Sequence, residues 1–304
     1  MKKYLVTGGA GFIGSHLVDK LINEGNEVIV IDNLSTGKKE NLNKKAQFYH
    51  VDISDYEKIK SLFKDMDGVF HLAAIPSVPF SVKDPITTSK VNIMGTINVF
   101  KASIDAGVKR IVFASSSAIY GNQKVLPFKE NMDPNPVSPY GLQKLIGEQF
   151  AKLFFDLHGI QIVCMRYFNV YGPRIDVNSD YSLVLGKFLK LNSEGKPLTI
   201  YGDGKQTRGF CYVGDVVDAN IKAMESLKIK GFQVLNIGDE GSNSVKYLAE
   251  LIGGKINYLP KRQGDPLHTK ADISIAKKMI GWKPKVDFKE GIIITREWFN
   301  DLKN

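Results

Sequence analysis

The stretch Tyr4-Leu5-Val6-Thr7-Gly8-Gly9-Ala10-Gly11-Phe12-Ile13-Gly14 constrains this chain more than any other. The apolar run Tyr4 to Val6 suits a buried strand, and it enters a turn built on glycines. From Ser15 to Ile22 the apolar residues Leu17, Val18, Leu21 and Ile22 take the spacing of one helix face. Strand, glycine turn and helix in that order bring bare backbone up to a pyrophosphate and aim the helix N-terminus at it. Glycine turns also occur without a ligand, so the pattern needs support. A second strand, Glu27 to Ile31, ends in Asp32, 18 residues beyond Gly14, about the separation of a carboxylate that binds an adenosine ribose diol. A carboxylate there repels a 2′-phosphate, which favours NAD over NADP. A helix cap or turn residue at Asp32 would not explain the order of the elements before it. Gly8, Gly11, Phe12, Ile13, Gly14 and Asp32 are thus the first candidate cofactor contacts.

The following segments repeat the rhythm. Asn33, Ser35, Thr36 and Gly37 should edge the adenosine. A third strand, Gln47 to Val51, leads to Asp52 and Ile53, where the acid either contacts adenine or caps the helix beginning near Ser54. A fourth, Gly68 to Leu72, ends in Ala73-Ala74, and small residues at a strand end let a cofactor lie close. His71, alone in an apolar run, reads as structural. A helix over Asn92 to Ala106 and a fifth strand, Arg110 to Ala114, follow. The alternation implies an α/β fold with a doubly wound, Rossmann-type parallel sheet and right-handed crossovers.

Ligands in such sheets sit beyond the carboxyl ends of the strands. Ser115-Ser116-Ser117 stands at one of those ends. Pro139 suits a first helical turn, and Tyr140 and Lys144, four residues apart, then share one face. A sixth strand, Gln161 to Tyr167, runs into Phe168-Asn169, after which loops lengthen. The expected division is a dinucleotide-binding part over residues 1–168, completed by a strand returning near 234–238, and a smaller, interleaved substrate-binding part over 169–304.

Composition narrows the partners. The 304 residues allow one large domain or two coupled ones. The net charge of +9 is mostly dispersed lysine with no basic block interleaved with aromatics, which argues against nucleic acid. Arginine is scarce, and two of the six, Arg208 and Arg262, lie in glycine-containing loops suited to a bound anion. Cys164 and Cys211 form no CxxC motif and suggest neither a disulfide framework nor a metal site. No apolar run is long enough to span a bilayer, and the segment after Met1-Lys2-Lys3 breaks at Gly8, so a cytoplasmic protein without a membrane segment is expected.

Taken together, these motifs resemble the extended short-chain dehydrogenase/reductase superfamily, and within it the nucleotide-sugar epimerases of the UDP-glucose 4-epimerase type. The likeness rests on Thr7 to Gly14, Asp32 to Gly37, Ser115 to Gly121, Tyr140 with Lys144, and Arg166 to Pro173, with later support from Arg262 to Asp265, Ala271-Asp272 and Gly281 to Pro284. It implies that Ser116, Tyr140 and Lys144 are catalytic, that Asn92, Tyr140, Lys144 and Tyr167 join the dinucleotide contacts, and that Ser116, Ser117, Asn169, Arg208, Arg262, Asp265 and Thr269 face a UDP-hexose. The sugar-nucleotide 4,6-dehydratases of the superfamily carry an Asp-Glu pair where this chain has Ser117-Ala118, and the usual Arg-Asp-Phe reads Arg208-Gly209-Phe210. Thr269, seven residues beyond Arg262, occupies a position that is a large tyrosine in epimerases restricted to unacetylated sugars.

The implied chemistry is reversible oxidation at C4 of the sugar, with NAD retained through the cycle. The alternative is a net NAD(P)-dependent nucleotide-sugar oxidoreductase. A Tyr140 phenolate working near neutrality needs its pKa lowered by roughly 3 units, about 4 kcal/mol, and Lys144 is expected to supply part of that. The resemblance also implies a homodimer joined through the helices containing Asn92–Ala106 and Tyr140–Phe155.

Overall fold

The computed structural model describes residues 1–177, 184–261 and 268–302. The main sheet has seven strands. They are β1 (Lys3–Thr7), β2 (Glu27–Asp32), β3 (Gln47–His50), β4 (Gly68–His71), β5 (Arg110–Ser116), β6 (Gln161–Tyr167) and a last strand at Gln233–Ile237. Read from one edge the order is β3-β2-β1-β4-β5-β6 and then the last strand, and every pairing is parallel. The order reverses between β1 and β4, where Thr7 is flanked by Ile31 and His71. Ligand crevices in doubly wound sheets lie at such a switch point.

Residue period 2 sends alternate side chains to opposite faces of this sheet. Tyr4 and Val6 of β1, Val112 of β5 and Val163 and Met165 of β6 enter one buried cluster with Leu17, Val18 and Leu21 of helix α1 (Phe12–Asn23). Leu5, Ile111, Phe113, Ile162 and Cys164 enter the other, against Phe63, Val99, Phe100 and Ala151. Both faces are therefore covered, as a parallel sheet requires. A third buried cluster gathers later residues, among them Tyr171, Phe188, Ile200, Phe210, Leu248 and Phe288. Phe12, at the start of α1, packs against the first cluster and the third.

Several boundaries differ from the sequence reading. β5 runs on to Ser116, because parallel pairing with β6 continues to Ser116 opposite Tyr167. The helix expected over Asn92 to Ala106 is α-helical only from Thr96 to Asp105. Lys90–Gly95 forms a wider π-helical turn, with Gly95 so close to Ile53 that a Cβ there would lie 2.7 Å from its side chain. The segment expected as one short strand from Leu198 is two. Leu198–Tyr201 pairs in parallel with Ile256–Leu259, and Thr207–Arg208 pairs antiparallel with Asn243–Ser244.

Candidate active site

The glycine turn is held by contact geometry. Gly8 has φ +75°, and a Cβ on it would meet Ala73 N at 2.7 Å. The Gly8 amide donates to Ile31 O at 2.8 Å, and Gly11 N donates to Gly8 O at 3.1 Å. Gly11 caps α1 with no side-chain hydrogen bond, and no acid sits in the first turn. Elsewhere in the chain, helices are capped by the side chains of Ser77, Ser138, Ser244 and Asp287. The α1 terminus, with Phe12, Ile13 and Gly14, thus keeps its first-turn donors clear of side-chain caps, as an anion site needs.

Asp32 is buried at the end of β2. Its carboxylate accepts from Ala10 N at 3.0 Å and Leu34 N at 2.8 Å. Gly37 faces it, and a Cβ there would sit 2.9 Å from both carboxylate oxygens. Asn33 donates to Asp52 at 2.7 Å, and Ser35 N donates to the Asn33 side chain at 3.0 Å. Burial opposes the Asp52 charge, but hydrogen bonds from Ser54 and Asn33 outweigh it and hold the carboxyl below its ordinary range. Asp52 therefore ties the loop that carries Asn33 to the turn at Ser54, and Ile53 O accepts from Asn98 at 3.0 Å. Thr36 and Gly37 lie in the same loop, and Ala74 directly follows Ala73. These residues fit a dinucleotide: a glycine cradle that any Cβ would fill, an uncapped helix start and a carboxylate kept open by a glycine.

A chain of hydrogen bonds crosses the switch point. Leu72 N donates to Thr7 O at 3.1 Å, and Ala73 N donates to Thr7 Oγ1 at 3.2 Å. Thr7 Oγ1 lies 2.7 Å from His71 Nδ1, His71 Nε2 lies 3.0 Å from Thr96 Oγ1, and Thr96 Oγ1 donates to Asn92 O at 2.8 Å. Thr96, which donates to Asn92 O, accepts from His71 Nε2–H, and with the imidazole neutral Nδ1 accepts from Thr7. His71 is thus a neutral Nε2–H imidazole, with burial and then the Lys144 charge holding its pKa well below the usual value. It is structural, as the sequence suggests. The amide of Asn92, expected at the dinucleotide, accepts from Ile75 N at 2.8 Å and donates to Ile75 O at 3.1 Å and to Gln143 at 2.8 Å. The hydroxyl of Tyr167 donates to Asn220 at 2.8 Å.

Tyr140 and Lys144 stand on the helix Pro139–His158, which starts with Pro139 and is capped by Ser138 accepting from Gly141 N at 3.1 Å. Ser81 Oγ accepts from Tyr140 N at 3.1 Å, a contact the sequence did not suggest. Ser116 Oγ accepts from Ala118 N at 3.1 Å, and Ser116 lies near enough to the Tyr140 phenol to act on its pKa. Lys144 Nζ donates to Ala114 O at 2.7 Å, lies 5.0 Å from the Phe113 ring centre and 6.0 Å from that of Tyr140. Burial pulls its pKa down to about 8, with Cys164 and Glu148 opposing. The expected lowering of the Tyr140 phenol is not present in the protein alone. Burial raises it, and only Ser116 draws it back. A nearby ammonium that is itself desolvated and turned to a carbonyl cannot supply the whole activation.

The sequence reading stopped at Lys144, yet the same face continues one turn further to Glu148. Its carboxylate accepts from Ser115 Oγ at 2.6 Å and from Arg166 Nε and Nη2 at 2.9 and 2.7 Å. The three-by-four spacing of Tyr140, Lys144 and Glu148 was the available signal.

Ser117 follows Ser116 in a short 3-10 turn, partly exposed. Asn169, with φ +33°, donates to Gly209 O at 3.0 Å and Thr269 Oγ1 at 3.4 Å. Gly209 N donates to Thr269 O at 2.8 Å, so backbone pairing holds the loop that carries Gly209. Arg208 donates to Thr207 O at 3.0 Å. Arg262 and Asp265 lie outside the described residues.

The sequence profile of the NAD dependent epimerase/dehydratase family matches residues 4–238. The chain belongs to that family. Its likeness to solved relatives runs end to end. A UDP-glucose 4-epimerase from Thermotoga maritima, solved with UDP-glucose, is 42% identical and superposes with TM-score 0.95 over 99% of this chain and 100% of that one. A UDP-N-acetylglucosamine 4-epimerase from Methanobrevibacter ruminantium, in complex with UDP-N-acetylmuramic acid, is 41% identical with TM-score 0.94 over 99% of each chain. UDP-glucuronic acid decarboxylase 1 of Xenopus tropicalis is 35% identical over 98% of this chain and 72% of its own. This member of the epimerase/dehydratase family is thus an NAD-dependent enzyme of the UDP-glucose 4-epimerase type, built on the Rossmann sheet described above. Among the described residues no helix is long and apolar enough to cross a membrane.

Proposed function

We propose that the enzyme inverts C4 of a UDP-hexose, either the glucose/galactose pair or its N-acetylated counterpart, through a transient 4-keto sugar. The observation that carries this reading is the helix pair Tyr140 and Lys144 at the carboxyl end of β5, with Lys144 Nζ on Ala114 O at 2.7 Å and Ser116 near enough to Tyr140 to favour its phenolate. Gly8, Gly11 to Gly14, Asp32 and the loop to Gly37 would hold the dinucleotide. When bound, NAD supplies a reversible hydride acceptor at C4. Tyr140 takes the proton of the 4-hydroxyl and returns it to the inverted alcohol. Ser116 holds the 4-oxygen during both transfers, and Ser117 assists. Lys144, protonated below about pH 8, keeps positive charge near the phenol.

Residues 1–168 with the returning strand form the dinucleotide part in this reading, and the third core supports the substrate part. Asn169, Arg208 and Arg262 would hold the nucleotide diphosphate, with Asp265 a further substrate contact, so that remote binding energy orients a sugar free to turn over. Thr269 would border the sugar. Exposed Val82, Ile86, Met94, Leu142 and Leu153, on and around the helices named for the dimer, support a homodimer, which light scattering tests.

The experiment uses purified protein with no added NAD, incubated separately with UDP-galactose, UDP-N-acetylgalactosamine and UDP-glucuronic acid, and follows C4 configuration and carbon count by NMR. Conversion to the C4 epimers without added cofactor supports the proposal. Loss of the carboxyl carbon from UDP-glucuronic acid would make the enzyme a decarboxylase, and stoichiometric consumption of added NAD would make it a net oxidoreductase.

A further inference from the structure

A helix cannot pair the backbone donors of its own first turn. In the helix Pro139–His158 each of these residues meets that problem differently. Pro139 has no N–H to satisfy. Gly141 N donates to Ser138 Oγ at 3.1 Å, and Leu142 N to Ser138 O at 3.0 Å. Tyr140 N stands between them and takes its acceptor from outside the helix, Ser81 Oγ at 3.1 Å. Ser81 lies in the short helix Val78–Lys83 and is fully buried. Its own proton goes to Val78 O at 2.7 Å, so toward Tyr140 it acts as an acceptor.

Other contacts seat the rest of that turn. Gln143 Nε2 donates to Thr88 Oγ1 at 2.9 Å and to Ser89 Oγ at 3.1 Å, both in the helix Pro85–Ser89 that follows the Ser81 helix. Toward β5, Gly141 packs on the turn after Ser116, where a Cβ on it would stand 2.7 Å from Ala118 O, and Lys144 Nζ reaches Ala114 O at 2.7 Å. Tyr140 is thus set between two elements distant in sequence, and the contact made to its own backbone amide is the one from Ser81. We propose that Ser81 is a positioning residue for Tyr140: by holding the amide that the helix leaves unpaired, it sets the place from which Tyr140 presents its phenol. Misplacing a reacting group by an ångström is enough to slow chemistry about a hundredfold. The proposal rests on the reading of Tyr140 as the proton-transfer group. Ser81 acts only through Tyr140 and touches neither substrate nor cofactor in this role.

The test is the split between kcat and KM. Ser81→Ala removes the acceptor and leaves Gln143 and Gly141 to seat the helix. Its kcat is expected to fall by roughly tenfold to a hundredfold, while KM for the UDP-sugar and the nucleotide retained per chain stay at the level of the unaltered enzyme. Ser81→Thr, which keeps a hydroxyl acceptor, is expected to recover most of the loss. A purely structural Ser81 would lower the unfolding temperature and leave kcat per folded, nucleotide-loaded chain where it was. An unchanged kcat, or a loss that Ser81→Thr does not recover, overturns the proposal. Should Ser81→Ala fail to fold, Ser81→Cys, close in size and a weak acceptor, takes its place under the same two criteria. Tyr140→Phe, assayed alongside, separates the two ideas: a dead Tyr140→Phe with an unmoved Ser81→Ala kcat rejects the role of Ser81 alone, whereas a turning-over Tyr140→Phe rejects the reading beneath it.

Discussion

Gly14 lies so close to Gly8 that a Cβ on Gly14 would stand 2.1 Å from the Gly8 carbonyl oxygen. The first turn of α1 is thereby pressed onto the turn before it, and only a hydrogen fits between them.

Gly14→Ala should accordingly push the helix start away from the glycine turn. The expected cost is about 1–3 kcal/mol of stability, as for other overpacked sites, together with loss of retained NAD. Thermal unfolding measures the first, and nucleotide released on denaturation measures the second.

Tyr140→Phe removes one hydroxyl and leaves the glycine turn untouched. Turnover should fall by at least about 100-fold, the lower end for loss of a proton-transfer group, while nucleotide content stays at the level of the unaltered enzyme.

His71 gives a pH prediction with a definite sign. The folded state holds it neutral while the unfolded chain protonates it below its ordinary pKa of 6.5. The unfolded state then binds more protons, so stability falls as pH drops through that value, by up to about 1.4 kcal/mol per pH unit for one such group. His16 is shifted in the same direction, chiefly by burial. Urea titrations at neutral and mildly acidic pH should show the loss, and His71→Gln should show a smaller one.

Thr269→Tyr tests the gate. Thr269 Oγ1 accepts from Asn169 at 3.4 Å, which puts it beside a residue proposed to hold the diphosphate. A tyrosine there should reduce kcat/KM for an N-acetylated sugar by roughly tenfold to a hundredfold, a size typical of steric discrimination in a pocket, and spare the unacetylated one. Equal activity on both would count against Thr269 as the determinant.

The sheet was largely legible because its strands are short apolar runs separated by helices of matching period, and their parallel order follows from that alternation. Tyr140 and Lys144 were legible because helical spacing alone puts them together. Glu148 was not, since an acid four residues after a lysine normally reads as a solvated helix pair; only the approach of Arg166 from β6 makes it internal. The hydrogen bonds of the Asn92 amide were equally invisible, because one of them depends on Gln143, far along the chain. The parallel pair of Leu198–Tyr201 with Ile256–Leu259 joins segments with no local signal linking them.

The last strand of the main sheet, Gln233–Ile237, comes from late in the chain and pairs along Val163–Tyr167 of β6. During synthesis, β6 therefore leaves the ribosome with one edge unsatisfied, and it stays so until the chain has been made past Ile237. An open, apolar edge of that kind is a template for pairing with other chains. The first half of this enzyme, although it carries the whole glycine turn and the Tyr140 helix, must be shielded or kept loose until the second half arrives to close it.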